Sequence, residues 1–276
     1  MRIGAHLRTP GGLRTAIDNA RAVGAEVAQL FLSDPRAWSG PRPETADKFG
    51  TEWRDAGVGP LYVHAPYLVN IASPNPEFVV KSLELCRRSV VACAIAGAAG
   101  FVVHAGSGGP GERTDAVARA AATLRLVLEE TEGTELIVEL MADTSGSVAS
   151  RWPEAAELFE LVADDRLRLC ADTCHLFVTG YGLDTPEGVA ACFDELHASG
   201  LADRLVLIHA NDARFARGSR RDRHENVGEG EIGPEGFRAV LARPEVAGLD
   251  VVVETPRGGE AHRRDIELLR SLAPSA

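Results

Sequence analysis

The chain has 276 residues, of which 45% are hydrophobic and 25% charged, so it can bury a large core in one or two domains. Its formal net charge of −11 argues against a general nucleic-acid-binding protein held by a basic surface. The apolar runs are shorter than a membrane span and the first residues lack a signal-peptide core, so we expect a cytoplasmic protein that does not enter the membrane.

Short runs rich in Val, Ile and Leu predict eight strands. These runs cover residues 3–6, 27–32, 61–64, 101–104, 136–139, 167–172, 205–209 and 251–254. Eight stretches with helical spacing follow them, at residues 13–23, 45–56, 77–96, 114–130, 153–162, 186–199, 234–241 and 262–272. Thr185 can cap one of these helices and Pro186 suits its first position. Eight strands alternating with eight helices predict a (β/α)8 TIM barrel, and no linker or repeat divides residues 1–276, which we interpret as one domain.

The five cysteines are odd in number and form no CxxC pair, which argues against a disulfide framework and against a zinc ribbon. They are Cys86, Cys93, Cys170, Cys174 and Cys192. We expect reduced thiols packed in the core, since free cysteine is usually buried.

A barrel builds its active site at the carboxyl ends of its strands. Seven of the eight predicted strands run into a residue that can bind a metal, and only the second does not. These residues are His6, His64, His104, Glu139, Asp172, His209 and Glu254. A single histidine after a strand is commonly an ordinary core or surface residue. Seven such endings on one face instead predict a metal-dependent active site.

Two loop segments add further candidate ligands. His175 follows Asp172 by three residues, and Asp222 and His224 flank Arg223 in a later loop. Without His6, the candidates are four carboxylates and five histidines, which suit two or three ions if one carboxylate bridges. His197 and His262 fall on predicted helices, and we expect both on the surface.

Five arginines lie within ten residues of the same later segment. They are Arg214, Arg217, Arg220, Arg221 and Arg223. A run of charge is commonly a solvated loop. A guanidinium also matches a phosphate as a bidentate donor, so arginines beside metal ligands favour a metal-assisted attack on a phosphodiester.

Five segments of the chain resemble the endonuclease IV family, the zinc-dependent apurinic/apyrimidinic (AP) endonucleases of base-excision repair. They read YVHAPYLVN at residues 62–70, DTCH at 172–175, HAND at 209–212, DRH at 222–224 and GEGEIG at 228–233. The resemblance extends from residue 3 to residue 255 and therefore covers nearly the whole chain.

The resemblance implies three zinc ions per chain. The first would be held by His64, His104 and Glu139, the second by Glu139 as a bridge with Asp172, His209 and Glu254, and the third by His175, Asp222 and His224. Manganese or iron are alternatives, because imidazole and carboxylate sites accept them too.

The resemblance also implies hydrolysis of the phosphodiester 5′ to an abasic site in double-stranded DNA, leaving a 3′-OH and a 5′-deoxyribose phosphate. Glu139 and Glu254 would be the catalytic carboxylates, with Glu254 beside the attacking water. Arg36 and Tyr67 match positions that fill the stack vacated by a flipped nucleotide, and Arg223 is a further expected DNA contact. We expect a monomer, since the enzyme must embrace a bent duplex.

The chain departs from the family pattern in two loops. After Glu139, where the family usually has Asn-Thr-Ala-Gly, the sequence reads LMAD, and after His104 it reads AGSGG without a second histidine. Both changes concern substrate handling more than metal binding.

Two other functions fit part of the pattern. A diverged sugar isomerase or epimerase would need one metal, on Glu139, Asp172, His209 and Glu254. The remaining five candidate ligands favour phosphodiester chemistry over it. A catalytically inert protein that binds damaged DNA and keeps its metals for structure is the second alternative.

Overall fold

The computed structural model describes residues 1–130 and 132–274. Its strands are β1 (Arg2–His6), β2 (Ala28–Leu30), β3 (Leu61–His64), β4 (Gly100–His104), β5 (Glu135–Glu139), β6 (Leu167–Asp172), β7 (Leu205–His209), β8 (Asp212–Ala213), β9 (His224–Glu225) and β10 (Asp250–Val253). Eight of them form a closed parallel barrel in the order β1-β10-β7-β6-β5-β4-β3-β2, and β8 pairs with β9 outside it. The predicted TIM barrel is confirmed.

Helices connect the strands of the barrel. They are α1 (Thr15–Val23), α2 (Pro43–Ala56), α3 (Pro76–Ala96), α4 (Arg113–Glu130), α5 (Trp152–Val162), α6 (Thr173–Thr179), α7 (Pro186–Ala198), α8 (Gly233–Leu241) and α9 (Glu260–Leu272), with a short 3-10 helix at Ala202–Arg204. All eight predicted helices are present, and Thr185 caps α7 by accepting from the Gly188 amide at 3.2 Å. The sequence analysis missed α6 and the β8–β9 pair.

Side chains alternate between the inside and the outside of the barrel, since a strand has a period of two residues. A buried cluster of mostly apolar side chains fills the inside. Its members are Val27, Tyr62, Val102, Ile137, Cys170, Leu207 and Val252. Two residues further along each of these strands lies a polar one, and β1 adds His6. We call these eight side chains the polar layer: His6, Gln29, His64, His104, Glu139, Asp172, His209 and Glu254.

The outward faces of the strands pack against the helices in a second, larger core. All five cysteines are buried and free, as predicted. No helix of the described residues is long and apolar enough to cross a membrane. His197 is exposed, as predicted, with 55% of its side chain accessible.

The prediction of a surface position for His262 is wrong. Only 5% of this residue is exposed, and its Nε2 donates to the carbonyl of Thr255 at 2.9 Å. His262 lies at helical spacing from Ile266 and Leu269, both fully buried, so it falls on the inner face of α9.

Gly4 in β1 allows the barrel to close, because a Cβ at this position would lie 1.6 Å from the carbonyl oxygen of Val27. We expect Gly4→Ala to lower the free energy of unfolding by about 3 kcal/mol, since backbone cannot move aside as a side chain can. Thermal unfolding measures the change. Gly111→Ala is the matched control, since its nearest atom would lie at 3.5 Å. Equal unfolding temperatures for Gly4→Ala and the parent chain would contradict this account.

Candidate metal centre

All nine predicted ligands lie at the carboxyl ends of the strands, in groups whose donor atoms are within 4.8 Å of one another. One group is His64, His104 and Glu139; a second is Glu139, Asp172, His209 and Glu254; a third is His175, Asp222 and His224. A fourth combination joins Asp172 and His224 with the Cys174 thiol. The first two groups share Glu139, and six of the nine residues belong to the polar layer.

Glu139 is fully buried at the junction of the groups. Its Oε2 lies 3.1 Å from His64 Nε2 and 3.4 Å from His104 Nε2. Its Oε1 faces the other way, 3.2 Å from His209 Nδ1. A carboxylate with one oxygen toward each of two ligand groups is placed to bridge two cations.

The turn from β6 into α6 positions His175. The Asp172 carboxylate caps α6 by accepting from the His175 amide at 2.9 Å, so one residue both starts the helix and belongs to a ligand group. The imidazole donates from Nδ1 to the carbonyl of Leu140 at 2.8 Å, which leaves Nε2 facing Asp222 Oδ2 at 3.4 Å. A hydrogen bond from the far ring nitrogen is the usual way to orient a metal-binding imidazole.

The segment at residues 228–233 folds around one buried carboxylate. Asp212 accepts from the amides of Gly228 at 2.9 Å, Gly230 at 3.1 Å and Ile232 at 2.9 Å. A Cβ at Gly230 would lie 2.5 Å from Asp212 Oδ1, so glycine is needed there. This motif holds the chain that follows β9, and thereby the position of His224.

Opposite charges set the protonation of the centre. Burial opposes the ionised form of Glu139, but the neighbouring His209 and His104 outweigh it and hold the pKa of this carboxyl well below its usual range. Burial likewise opposes the charged form of His175, yet Asp172 and Asp222 raise its pKa well above the usual value. Burial also opposes the ionised form of Asp222, but the hydrogen bond and charge of His175, together with the charge of His224, outweigh it and lower the pKa of that carboxyl to about 2. Negative oxygens therefore face the centre of each group.

Two atoms of the centre fit a cation better than they fit the protein alone. Glu139 Oε1 and His209 Nδ1 are buried and have no hydrogen-bond partner among the described residues. An unpaired buried polar atom is costly, and the cost is larger for a charged one. Imidazole nitrogens and carboxylate oxygens converging within a few ångströms suit a divalent transition metal.

Sequence reasoning missed two amides of the centre. Gln29 of the polar layer and Asn211 beyond β7 are both fully buried. Asn211 Nδ2 donates to Asp172 Oδ2 at 2.6 Å, and its Oδ1 accepts from the Glu254 amide at 2.7 Å. The signal for Gln29 was its place in β2, two residues after buried Val27, but a side-chain amide is not among the usual ligands of zinc.

Two of the three expected DNA contacts, Arg36 and Tyr67, lie in the cavity that the ligands line. Arg36 and Tyr67 line a cavity of about 990 Å³ together with His64, His104 and Glu254. Tyr67 is 66% exposed. Arg36 and Tyr67 are therefore brought together with the ligands, and Arg8, which the sequence analysis did not consider, lines the same cavity.

The arginine run is largely engaged within the protein. The contacts are Arg217 with Asp184 at 3.4 Å, Arg220 with Asp143 at 2.8 Å, and Arg221 over the Phe215 ring at 3.6 Å. Arg223 is exposed, donates to the carbonyl of Asp222 at 2.7 Å, and lies outside the described lining of the cavity. A phosphate grip from this run would therefore be smaller than five arginines suggest.

Fold and site together define a (β/α)8 barrel with candidate metal-binding groups at the carboxyl ends of its strands. A sequence profile of xylose isomerase-like TIM barrels matches residues 17–272. The chain is 38% identical to a probable endonuclease 4 of Streptomyces avermitilis, over 98% of this chain and 89% of that protein. It is 36% identical to a probable endonuclease 4 of Chloroflexus aurantiacus, over 100% of this chain and 99% of that protein. The chain belongs to the endonuclease IV family.

Solved structures agree with this assignment. The crystal structure of endonuclease IV from Thermus thermophilus superposes with a TM-score of 0.82 at 31% identity, covering 99% of this chain and 98% of that one. A D-tagatose 3-epimerase-like protein superposes with a TM-score of 0.80 at 19% identity, covering 99% of this chain and 97% of that one. At that identity the second match shows the shared barrel alone.

We expect zinc to raise the unfolding temperature of the chelator-treated protein by about 5–10 °C at a hundredfold excess over the dissociation constant, because ligands that bind only the folded state stabilise it. Differential scanning calorimetry measures the shift. His64→Ala should reduce the response, and His197→Ala, an exposed histidine away from the centre, should not. An unfolding temperature insensitive to zinc would contradict the metal centre.

Proposed function

We propose that this chain is a metal-dependent AP endonuclease that hydrolyses the phosphodiester 5′ to an abasic site in double-stranded DNA. One observation carries the proposal: residues from all three ligand groups line the same cavity as Arg36 and Tyr67. The similarity to a probable endonuclease 4 and to endonuclease IV of Thermus thermophilus supports it. We further propose zinc as the metal and three ions per chain, with manganese or iron as alternatives.

Each ligand group would hold one ion. His64, His104 and Glu139 would hold one ion; Glu139, Asp172, His209 and Glu254 would hold a second; His175, Asp222 and His224 would hold a third. Bound ions of this kind lower the pKa of water and stabilise charge on phosphoryl oxygens.

Glu254 is the carboxylate that best suits an orienting role at the attacking water. Its Oε1 is engaged inside the protein, at 2.8 Å from His6 Nδ1 and 2.5 Å from Gln29 Nε2. Its Oε2 remains on the side of His209 Nδ1, at 3.5 Å. Since the pKa of this carboxyl is lowered by His209 and His6 against the effect of burial, Glu254 stays ionised and can accept a hydrogen bond from water.

Substrate binding would rest on the rim of the cavity. The exposed Arg36 guanidinium can pair with a phosphate, and the Tyr67 ring can fill the space of a missing base. The backbone amide of Tyr67 donates to the carbonyl of Pro35 at 3.0 Å, and the rings of Tyr67 and Phe31 meet edge to face at 5.0 Å. These contacts join the loops after β2 and β3, so Arg36 and Tyr67 would meet the DNA as a unit. Arg223 would contribute from the edge of the site.

The epimerase alternative needs only one of the ligand groups. Glu139, Asp172, His209 and Glu254 lie within 4.8 Å of one another and would suffice for one metal. The epimerase alternative gives no role to the third ligand group or to the exposed Arg36 and Tyr67 in the cavity. We therefore keep the nuclease as the proposed function. The monomeric state and the cytoplasmic location stay predictions.

Incision of a duplex with one tetrahydrofuran abasic analogue tests the function. Metal-loaded protein should cut the lesion strand on the 5′ side and leave a 3′-OH, which the mobility of an end-labelled fragment reveals. Intact duplex and chelator-treated protein serve as controls. No incision by protein with its metal content verified would contradict the nuclease, and would leave the inert damage-binding alternative if the duplex still binds. Turnover of a ketose by the same sample would favour the epimerase.

Arg36→Ala tests the substrate side. We expect weaker binding to abasic duplex and a plot of log K against log salt that is shallower by about one, as for loss of one phosphate contact. Fluorescence anisotropy across salt concentrations measures both. Arg263→Ala removes an exposed arginine that pairs with Glu260 and Glu267 on α9 and should change neither. If Arg36→Ala and the parent chain show the same dependence of log K on log salt, Arg36 does not contact a DNA phosphate.

A further inference from the structure

Gln29 is the only glutamine of the 276-residue chain, and it is completely buried in β2. It is the polar-layer residue of β2, the one barrel strand that does not run into a residue able to bind a metal. Its amide reaches across the barrel interior to residues of β7 and beyond β10, 180 and 225 positions away. A buried amide with partners on distant strands is suited to position them relative to one another.

The two ends of this amide have different partners. Nε2 lies 2.5 Å from Glu254 Oε1 and 3.0 Å from His6 Nδ1, and Oε1 lies 3.0 Å from His209 Nε2. An ionised carboxylate can only accept a hydrogen bond, so the NH2 group must face Glu254 and the carbonyl must face His209. The orientation of the amide therefore follows from chemistry.

This orientation determines which nitrogen of His209 carries the proton in the neutral ring. Because Gln29 Oε1 can only accept, His209 Nε2 must donate, and the lone pair is left on Nδ1. Nδ1 is the buried atom without a hydrogen-bond partner, 3.2 Å from Glu139 Oε1. In His64 and His175 it is Nδ1 that bonds, to a backbone carbonyl, and Nε2 that faces the centre. At His209 a side chain replaces the backbone as acceptor.

We propose that Gln29 is a positioning residue of the metal centre. Its carbonyl selects the His209 tautomer that presents Nδ1 to the ion, and its NH2 group holds Glu254 with Oε2 turned toward His209. The proposal rests on the metal-dependent function proposed above. It assigns a role to the second strand, which offers no ligand of its own.

Other side chains at position 29 would lose one or both of these contacts. Methionine has a similar length and offers neither the donor nor the acceptor. Glutamate keeps an acceptor for His209 but puts a second carboxylate against Glu254 Oε1, where the amide now donates at 2.5 Å. The two variants therefore separate loss of both hydrogen bonds from loss of the donor with added negative charge.

Zinc affinity, measured by competition with a chromogenic chelator, is the first test. We expect Gln29→Met to lower the zinc affinity of the site that contains His209 and Glu254 by about 10- to 100-fold, as loss of an outer hydrogen-bond partner of a metal ligand does. Gln29→Glu should lower this affinity too. The incision kcat should fall with a smaller change in KM. Thr123→Val is the control for loss of a buried hydrogen bond, since Thr123 on α4 is 2% exposed and its hydroxyl donates to the carbonyls of Ile71 and Arg119.

Nitrogen-15 NMR of the zinc-loaded parent chain is the second test and needs no variant. Labelled histidine should show His209 protonated at Nε2 and bound to metal through Nδ1. Labelling the side-chain amide of glutamine yields a single NH2 pair, which should be protected from exchange with water. Coordination of His209 through Nε2 would overturn the proposal, as would parental zinc affinity in Gln29→Met.

The two proposals fail in different ways. A parent chain that binds zinc and cuts abasic DNA, with Gln29→Met equal to it in both, defeats the positioning role alone. A parent chain that binds zinc and does not cut DNA defeats the nuclease, while reduced zinc affinity in Gln29→Met would still support the positioning role. A parent chain that binds neither zinc, manganese nor iron defeats both.

Discussion

Glu139 is the group on which the rest of the centre depends. A carboxylate with no solvent exposure is strongly unfavourable unless positive charge or donors compensate it. Here His64 and His104 face one oxygen and His209 faces the other. Since Oε1 still lacks a hydrogen bond, the protein supplies most of a cation-binding site and leaves the last contact to the cation. The ligands on β3, β4, β6 and β7 are arranged around this one acid.

A second arrangement keeps the loop ligands near the barrel. Asp212 gathers the amides of the segment 228–233, and Asp265 on α9 accepts from the Val227 amide at 3.1 Å and from Asn226 Nδ2 at 2.7 Å. Neither carboxylate belongs to a ligand group, but both fix the chain around β9. His224 depends on them, because a ligand on a loop must be placed to within a fraction of an ångström.

The two loops that depart from the usual family pattern meet in the structure. Ser107, after His104, forms an isolated bridge with Ser147, after Glu139. Asp143 in the second loop pairs with Arg220, which joins this loop to the arginine run. The ligand groups around Glu139 nevertheless remain complete. An acidic chain can still present a locally favourable surface to DNA, because bound cations would offset the carboxylates that carry much of the local charge.

The sequence by itself determined the barrel and the strand-borne ligands. Alternating strand and helix patterns fixed the architecture, and a polar residue at the end of an apolar run necessarily lies at the carboxyl edge of a parallel barrel, as for His64, Glu139 and Asp172. The family resemblance already implied how the ligands are grouped, but only the tertiary structure decided that His262 is buried and that most of the arginine run is already paired. It also revealed Gln29, since hydrogen bonds between residues 180 and 225 positions apart exist only after the barrel closes, and no local pattern encodes them.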